Sequence, residues 1–260
     1  MTMLTPKGRS ALGAKVQAEL TGTAERSAET LLEQSWRDFI YSEVWSRSGL
    51  ERRARFLISL AGAACVGDAQ AVNLYARGAL TTASISLSEL REAALHAAVY
   101  CGWSAGSLID GEVSKVASEL GLSPADSLPL CPAPWDPQDR SARGAAEFET
   151  VMKFGGPPPV TPYFEAGIRS FVFGEMWHRE GLDQRSRRWI TLVGVGMSSA
   201  VTPIGSHVWS AMASGNASKE EMLEFVLQYA VHAGWPRGSV MQAAVLEQSK
   251  KVEAGLSYDG

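Results

Sequence analysis

"FIYSEVWSRSGLERRARFLISLAG", residues 39–62, and "FVFGEMWHREGLDQRSRRWITLVG", residues 171–194, are two versions of one segment. They align without a gap at a shift of 132 positions, and they share a tryptophan, three arginines and the glycine of an "R-x-G-L" motif. Self-similarity at a fixed shift is typical of a repeated structural unit. We therefore predict that the chain contains two tandem copies of one unit.

The same shift continues beyond this segment. A serine, two glutamates, two glycines and a tryptophan recur, namely Ser86, Glu89, Glu92, Gly102, Gly106 and Trp103, matched by Ser218, Glu221, Glu224, Gly234, Gly238 and Trp235. The stretch "RSALGA" at residues 9–14 returns as "RSARGA" at residues 140–145. We place a first unit at 1–125, a proline-rich linker with a lead-in helix at 126–160, and a second unit at 161–260. Two like units in one chain are expected to pack with pseudo-twofold symmetry.

Alanine is abundant and alternating β-branched runs are rare, which predicts an all-α fold built as two helical bundles. Residues 54–67 and 186–199 are apolar nearly all round and predict buried helices. Further helices are predicted at about 204–213, at 219–233 behind an S-x-x-E capping box, and at about 239–254. In the last helix we expect Val240, Ala243, Ala244 and Leu246 to form the buried side.

Composition narrows the class of protein. The chain has 260 residues, a net charge of −4 and 45% hydrophobic residues, so neither nucleic acid nor an anionic membrane is expected as a partner. Because no apolar run reaches about 18 residues, we expect a cytoplasmic protein. Cys65, Cys101 and Cys131 are too scattered for a disulfide framework or a thiolate zinc site. Neither the spacing of the four histidines nor any glycine-rich loop indicates a metal or nucleotide, so no cofactor is expected.

His207 is the first candidate for chemistry, since it lies in the small and apolar stretch "PIGSHVWSAM". A neutral imidazole there could move a proton or polarise a carbonyl, although a hydrogen-bonded core histidine is an equal alternative. Its counterpart in the first unit is Tyr75. Trp209, in the same stretch, is a candidate for contact with a substrate.

The helix at 219–233 carries a polar stripe opposite an apolar face. Glu224 and His232 are the catalytic candidates in this stripe, which also contains Glu221 and Gln228; a solvated surface is the alternative. A histidine in the last turn is favoured in its protonated form by the helix dipole, which would suit a general acid. On the apolar face, Tyr229 is a candidate for substrate contact.

Four arginines of the second unit, at positions 179, 185, 187 and 188, are candidates for an anion site. Arg179 and Arg187 could hold a substrate carboxylate through bidentate hydrogen bonds. Equally, the arginines could pair with Glu175, Glu180 and Asp183 inside the unit or across an oligomer interface. Trp45 and Trp177 are expected in core or interface packing.

Residues 171–236 resemble the carboxymuconolactone decarboxylase family of the AhpD-like superfamily, with the first unit resembling it more weakly. The similarity rests on the "W-x-R-x-G-L-x-x-R-x-R" segment, the histidine before a small-residue helix, the acidic helix cap and the ending aromatic-x-G-x-P, in which His232 replaces the usual tyrosine. Peroxidases of this superfamily use a C-x-x-C pair and a glutamate. Here Ala200 and Pro203 stand at the cysteine positions and Arg188 at the glutamate position, which argues against peroxidase chemistry.

The resemblance implies a cofactor-independent carboxy-lyase acting on a carboxylated lactone or related cyclic acid. The resemblance assigns His207 to proton transfer or to stabilising the oxyanion. It assigns Glu224 to orienting His207 or to holding the proton of the general acid, and Arg179 or Arg187 to binding the substrate carboxylate. Tyr75 in place of histidine implies a degenerate site in the first unit. The family also implies a homo-oligomer, here a trimer with pseudo-sixfold symmetry. The alternatives are a non-catalytic small-molecule-binding protein and a hydroperoxide reductase acting through Cys65 or Cys101.

Overall fold

A computed structural model describes residues 5–22, 27–124, 127–130 and 136–259. Within these ranges every regular element is a helix and no strand occurs, so the all-α prediction is confirmed. Cys131 lies outside the described residues. None of the described helices is long and apolar enough to cross a membrane.

The two halves of the chain present the same series of helices. The first contains α1 (Pro6–Thr21), α2 (Leu31–Ser35), a π-helical segment π1 (Trp36–Trp45), α3 (Arg52–Cys65), α4 (Ala69–Thr81), α5 (Leu87–Cys101) and α6 (Trp103–Glu119). The second contains α7 (Pro137–Met152), π2 (Tyr163–Met176), α8 (Gln184–Ser198), α9 (Val201–Ala213), α10 (Lys219–Ala233) and α11 (Trp235–Glu253). Apart from α2, each element has a counterpart, and α7 is a lead-in helix within 126–160. This order of helices supports a tandem duplication. Both the duplication and the boundaries of the two units remain predictions.

Local sequence explains where several of these helices begin. Both predicted capping boxes are formed, since Ser86 and Glu89 open α5, and Ser218 and Glu221 open α10. The lead-in helices α1 and α7 each begin with a proline, whose missing N–H costs nothing at this position. Gly102 and Gly234, both with positive φ, separate α5 from α6 and α10 from α11.

A glycine lets each lead-in helix lie directly on a π-helical segment. A Cβ on Gly13 of α1 would lie 1.8 Å from the carbonyl oxygen of Arg37, and one on Gly144 of α7 would lie 1.8 Å from that of Arg169. No side chain fits at such a distance. The repeated "R-S-A-x-G-A" stretch therefore has the same packing role in both halves.

The apolar helices α3 and α8 lie at the centre of the molecule. Residues 54–64 of α3 and 186–196 of α8 are buried. The two helices pack on each other, and each also packs on a helix of the other half, α3 on α10 and α8 on α5. One hydrophobic core contains residues of both halves. The reciprocal contacts are those that pseudo-twofold packing predicts, and they place polar residues of one half against the other.

The buried side predicted for the last helix is wrong. In α11 it is Met241 and Val245 that are fully buried, whereas Val240 and Leu246 are exposed. Small and apolar residues occur on adjacent sides of this helix, so its pattern does not select one. Packing on α9 and α10 makes the selection.

Candidate functional site

The polar stripe of α10 faces α3 of the first half rather than solvent. Glu224 accepts hydrogen bonds from Arg47 Nε at 2.8 Å and Arg55 Nη2 at 3.0 Å. Gln228 is fully buried, accepting from Arg55 Nη1 at 2.8 Å and donating to Ser59 Oγ at 2.8 Å. The solvated-surface alternative is therefore wrong for these two residues, while Glu221 caps α10 as predicted.

Glu92 of α5 makes the counterpart of this arrangement against the second half. It accepts from Arg179 Nε at 2.8 Å and from Arg187 Nη2 at 3.4 Å. Arg179 also donates to the carbonyl of Pro129, and Arg187 donates to the carbonyls of Leu182 and Arg179. We call the two sets the Glu92 clamp (Glu92, Arg179, Arg187) and the Glu224 clamp (Glu224, Arg47, Arg55).

The clamps leave their arginines committed to protein partners. Arg179 and Arg187, the candidates for a substrate carboxylate, are hydrogen-bonded to Glu92 and to backbone carbonyls. Burial would raise the pKa of Glu92, but hydrogen bonds and charge from the two arginines outweigh it and lower that pKa. Hydrogen bonds from Arg47 and Arg55 likewise lower the pKa of Glu224. Both glutamates are thus carboxylates near neutral pH, a state that accepts hydrogen bonds and supplies no proton.

The expected partners of the other arginines also lie elsewhere. Arg185 pairs with Glu51 of the first half at 3.0 Å, and Asp183 pairs with Arg53 at 3.3 Å, so these bridges join the two halves of one chain. Glu175 pairs with Arg140 of the lead-in helix at 2.6 Å. The repeated arginines therefore serve contacts between the units.

The repeated glycine of "R-x-G-L" makes room for each clamp. A Cβ on Gly181 would lie 2.6 Å from Cγ of Glu92, and one on Gly49 would lie 2.8 Å from Cγ of Glu224. Any larger residue would displace the carboxylate. The glycine and the arginines of the motif therefore belong to one structural device.

Beyond the clamps, an imidazole lies beside a phenol in each half, with the positions of the two residue types exchanged; in the second half His96 also lies beside the phenol, with ring centroids 5.1 Å apart. In the first half, Tyr75 of α4 lies beside His232 of α10, with the hydroxyl 3.0 Å from Nε2. In the second half, His207 of α9 lies beside Tyr100 of α5, with ring centroids 5.7 Å apart. The predicted catalytic residues are thus divided: Glu224 lies in its clamp with Arg47 and Arg55, His232 lies at Tyr75, and His207 lies with residues of α5 and α8.

His207 belongs to a set of four residues, the His207 cluster, comprising Tyr100, Trp177, Arg188 and His207. Arg188 Nη1 lies 3.5 Å from His207 Nδ1, and its guanidinium lies 5.0 Å from the ring centroid of Trp177. The indole Nε1 of Trp177 donates to the Tyr100 hydroxyl at 2.8 Å. Because a guanidinium can only donate, Nδ1 of His207 accepts, and Nε2 carries the ring proton.

Arg188 has an unusual environment for a guanidinium. It is fully buried, and its hydrogen bonds go to neutral acceptors: the carbonyl of Val151 at 2.7 Å, the Asn216 side chain at 3.4 Å, and His207. Among the described residues, no carboxylate pairs with it. Burial lowers its pKa to about 10. A buried cation without a counter-charge is costly, so this position invites an anion.

The same environment keeps His207 and Tyr100 neutral. Burial and the charge of Arg188 lower the pKa of His207 to about 3. Burial raises the pKa of Tyr100 to about 12. In the first half, burial lowers the pKa of His232 to about 4 and raises that of Tyr75 well above its ordinary value. His232 is therefore a neutral imidazole, although a helix C-terminus alone would favour its protonation.

The remaining candidates lie in the core. Trp209 is buried against Phe154 and Tyr258. Tyr229 stacks on Phe225, and its buried hydroxyl has no hydrogen-bond partner in the described part of the chain. Within that part, no three His, Cys, Asp or Glu side chains are arranged to hold a metal ion. Trp45 and Trp177 are buried as expected.

Sequence reasoning missed Tyr100 as a member of the His207 cluster, and it named Arg188 among four candidate arginines but assigned the substrate carboxylate to Arg179 or Arg187. The available signal was Arg188 itself, an arginine in a run of apolar residues without a counterpart in the first half, where Phe56 stands. The sequence placed Arg188 at the peroxidase glutamate position and among the anion-site candidates, but it did not single Arg188 out from the other three arginines. Tyr100 comes from the other half and gave no signal before the halves were packed.

Comparisons with known proteins agree with the resemblance. The model of the carboxymuconolactone decarboxylase family matches residues 31–107. This match lies in the first unit, whereas the motifs indicated the stronger resemblance in the second. A 4-carboxymuconolactone decarboxylase of Acinetobacter baylyi is 30% identical over 120 residues, which cover 43% of this chain and 89% of that protein. A nitrosuccinic acid decarboxylase of Metarhizium robertsii is 40% identical over 67 residues, 25% of this chain and 45% of that protein. With nearly the whole of the bacterial relative covered at this identity, the chain belongs to the carboxymuconolactone decarboxylase family.

Proposed function

We propose that this protein is a cofactor-independent carboxy-lyase that acts on a small carboxylated lactone or related acid at the His207 cluster. The observation that carries the proposal is the buried guanidinium of Arg188, which has only neutral hydrogen-bond acceptors among the described residues. A substrate anion would provide its counter-charge. The two relatives support the class of reaction, since both are named as decarboxylases of organic acids.

Decarboxylation requires little more than a suitable environment when the substrate has an electron-withdrawing group. Loss of CO2 breaks one carbon–carbon bond and leaves its electron pair on carbon, from which the charge moves onto the oxygen of a neighbouring carbonyl or nitro group. A proton then adds to the carbon. The protein must stabilise the developing oxyanion, exclude water and supply that proton.

Each of these tasks has a residue in the His207 cluster. Arg188 provides positive charge where water is excluded, so it favours the oxyanion more than it would in water. His207, with its proton on Nε2, donates a hydrogen bond to the same oxygen as a neutral imidazole. The Tyr100 oxygen accepts from Trp177, and its hydroxyl gives its proton to the carbon. The phenolate that this leaves near the charge of Arg188 takes a proton from water when the product departs.

The test is turnover of the two acids that the relatives' names specify, 4-carboxymuconolactone and nitrosuccinic acid, measured as CO2 release. We expect Arg188→Met, which keeps the volume and removes the charge, to lower kcat/KM by about 100-fold or more. His207→Gln and Tyr100→Phe should each lower kcat. Arg143→Gln, which changes an exposed arginine of α7, is the matched control and should retain full turnover.

Stability separates a functional from a structural role of Arg188. If its charge serves a substrate, Arg188→Met should unfold at an unchanged or higher denaturant concentration, because a buried unpaired charge costs stability. Full turnover by Arg188→Met, or loss of folding together with turnover, would overturn the proposed site. Saturable binding of both acids to the wild type without CO2 release would favour the non-catalytic binding protein.

We also propose the homo-oligomer that the family implies, a trimer with pseudo-sixfold symmetry. Exposed apolar side chains occur along one side of α11 and at the start of α9, including Val201, Val240 and Leu246. A trimer would cover such surface. Sedimentation equilibrium at a monomer mass would contradict this proposal.

A further inference from the structure

A cavity of about 410 Å³ opens in the first half at Tyr75, away from the His207 cluster. We call it the Tyr75 cavity. The space lies between α1, the segment 27–33, π1 and the first half of α4. Its volume is within the usual range of small-molecule sites, roughly 300–1,000 Å³. The first half, for which a degenerate site is predicted, therefore contains room for a ligand.

One wall of the Tyr75 cavity is aromatic. Trp36, Tyr41 and Tyr75 line it, with the rings of Trp36 and Tyr41 centred 6.1 Å apart. Tyr41 is only 3% exposed, and its hydroxyl forms no hydrogen bond with a described residue; the oxygen is not among the fully buried unpartnered atoms, so it is accessible at the cavity that Tyr41 lines. A hydroxyl at the wall of a cavity still needs a hydrogen-bond partner. A polar atom of a ligand in the cavity would provide one.

The charged groups that line this cavity in the described part of the chain are acidic. Asp68 and Glu29 line it, and so does Glu33, whose carboxylate already accepts from the backbone N–H groups of Glu29 and Thr30. No lysine or arginine lines it among the described residues. Asp68, the N-cap of α4, lines the cavity with Tyr75, and its charge acts on both Tyr75 and His232. Because Tyr75 and His232 are neutral, they do not offset the charge of Asp68.

The second half has none of these features at the equivalent places. Ile168, Phe173 and Ala200 stand where the first half has Trp36, Tyr41 and Asp68. Conversely, the second half has the cation Arg188 where the first has Phe56. The two halves thus present opposite charges to a ligand, and one substrate anion would not suit both.

We propose that the Tyr75 cavity is a second ligand site, selective for an organic cation with an aromatic or flat apolar body, such as an aryl amine. The ammonium group pairs with the Asp68 carboxylate, and electron-rich faces of Trp36 and Tyr41 attract the same charge. The Tyr41 hydroxyl bonds a polar substituent of the ligand. Acidic residues at the cavity repel carboxylates, so the site is distinct in substrate class from the His207 cluster.

The experiment compares two small phenols that carry opposite charges on their side chains. Tyramine carries an ammonium group, and 4-hydroxyphenylacetate carries a carboxylate on a similar body. Binding is measured by calorimetry and by the fluorescence of Trp36, with Trp36→Phe assigning the optical signal. We expect tyramine to bind at least about tenfold more tightly than 4-hydroxyphenylacetate, and its affinity to fall as salt increases.

Two variants test the assigned contacts without endangering the fold. Asp68→Asn removes the charge but retains a good helix cap for α4, where Asp68 accepts from the backbone N–H of Ala71. It should abolish most of the preference for tyramine. Tyr41→Phe removes only the hydroxyl and should weaken tyramine binding several-fold. Asp139→Asn, an exposed acid in the first turn of α7, is the matched control and should bind tyramine as the wild type does.

Each other result overturns the inference. Equal or tighter binding of 4-hydroxyphenylacetate, unchanged selectivity in Asp68→Asn, or no saturable tyramine binding would each do so. Arg188→Met should bind tyramine normally, and Asp68→Asn should retain acid turnover. Failure at this cavity is therefore distinguishable from failure of the proposed lyase.

Discussion

Replacing Glu92 with glutamine tests whether the clamps hold the two halves together. Glu92 and both of its arginines are almost completely buried, with side chains 8% exposed for Glu92 and Arg179 and 1% for Arg187. Removing one member of a buried ion pair typically costs 3–5 kcal/mol, because the remaining charge is left without its partner. Glutamine keeps the volume and one acceptor, so we expect a loss of about 3 kcal/mol in the free energy of unfolding.

Glu224→Gln is the internal comparison, because the Glu224 clamp contains the same types of charged group but is more exposed to solvent. Arg47 is 42% exposed, so its bond to Glu224 contributes little, about 0–1 kcal/mol. Only Arg55 is left buried and unpaired. We therefore expect a smaller loss for Glu224→Gln, about 2 kcal/mol. Glu220→Gln, an exposed neighbour in the first turn of α10, should lower the unfolding midpoint much less than either clamp variant, since it removes only an exposed charge at a helix N-terminus.

Urea denaturation followed by both fluorescence and circular dichroism measures these losses, and coincident transitions would justify a two-state treatment. The reasoning fails if Glu92→Gln costs under about 1 kcal/mol or less than Glu224→Gln, since burial is the basis of the predicted order.

Three further changes have defined outcomes. Gly181→Ala should lower the unfolding midpoint because its Cβ would displace Glu92, whereas Gly111→Ala, an open helical position, should be neutral or stabilising; equal effects would contradict the close approach. The lowered pKa of His232, about 4, means that the unfolded chain binds more protons below pH 6.5, so stability falls as the pH drops towards 4. His232→Asn should remove about 3 kcal/mol of that loss, and an unchanged pH profile would refute it. Hydrogen bonding from Cys101 and the charge of Arg237 lower the pKa of Cys65. The hydrogen bond to Cys65 and burial raise the pKa of Cys101. Iodoacetamide near neutral pH should therefore label Cys65 before Cys101, which peptide mass spectrometry measures.

The sequence by itself determined the helices and their repetition. Apolar periodicity, the capping boxes at Ser86 and Ser218, and the shift of 132 positions indicated an all-α chain in which corresponding helices recur. These are local signals, because caps and helical faces depend on residues three or four positions apart. For α10 even the bounds were predicted correctly, at Lys219 and Ala233.

Only the tertiary structure decided what each polar face meets. Periodicity places Glu224, Gln228 and His232 on one side of α10, but it does not say whether that side faces water or a neighbouring helix. Packing of α10 on α3 and of α5 on α8 buries these side chains, pairs the repeated arginines across the halves, and exchanges the histidine and tyrosine partners. The same packing leaves Arg188 buried beside His207 without a carboxylate among the described residues. A burial cost of this kind arises between helices far apart in sequence, and no local pattern records it.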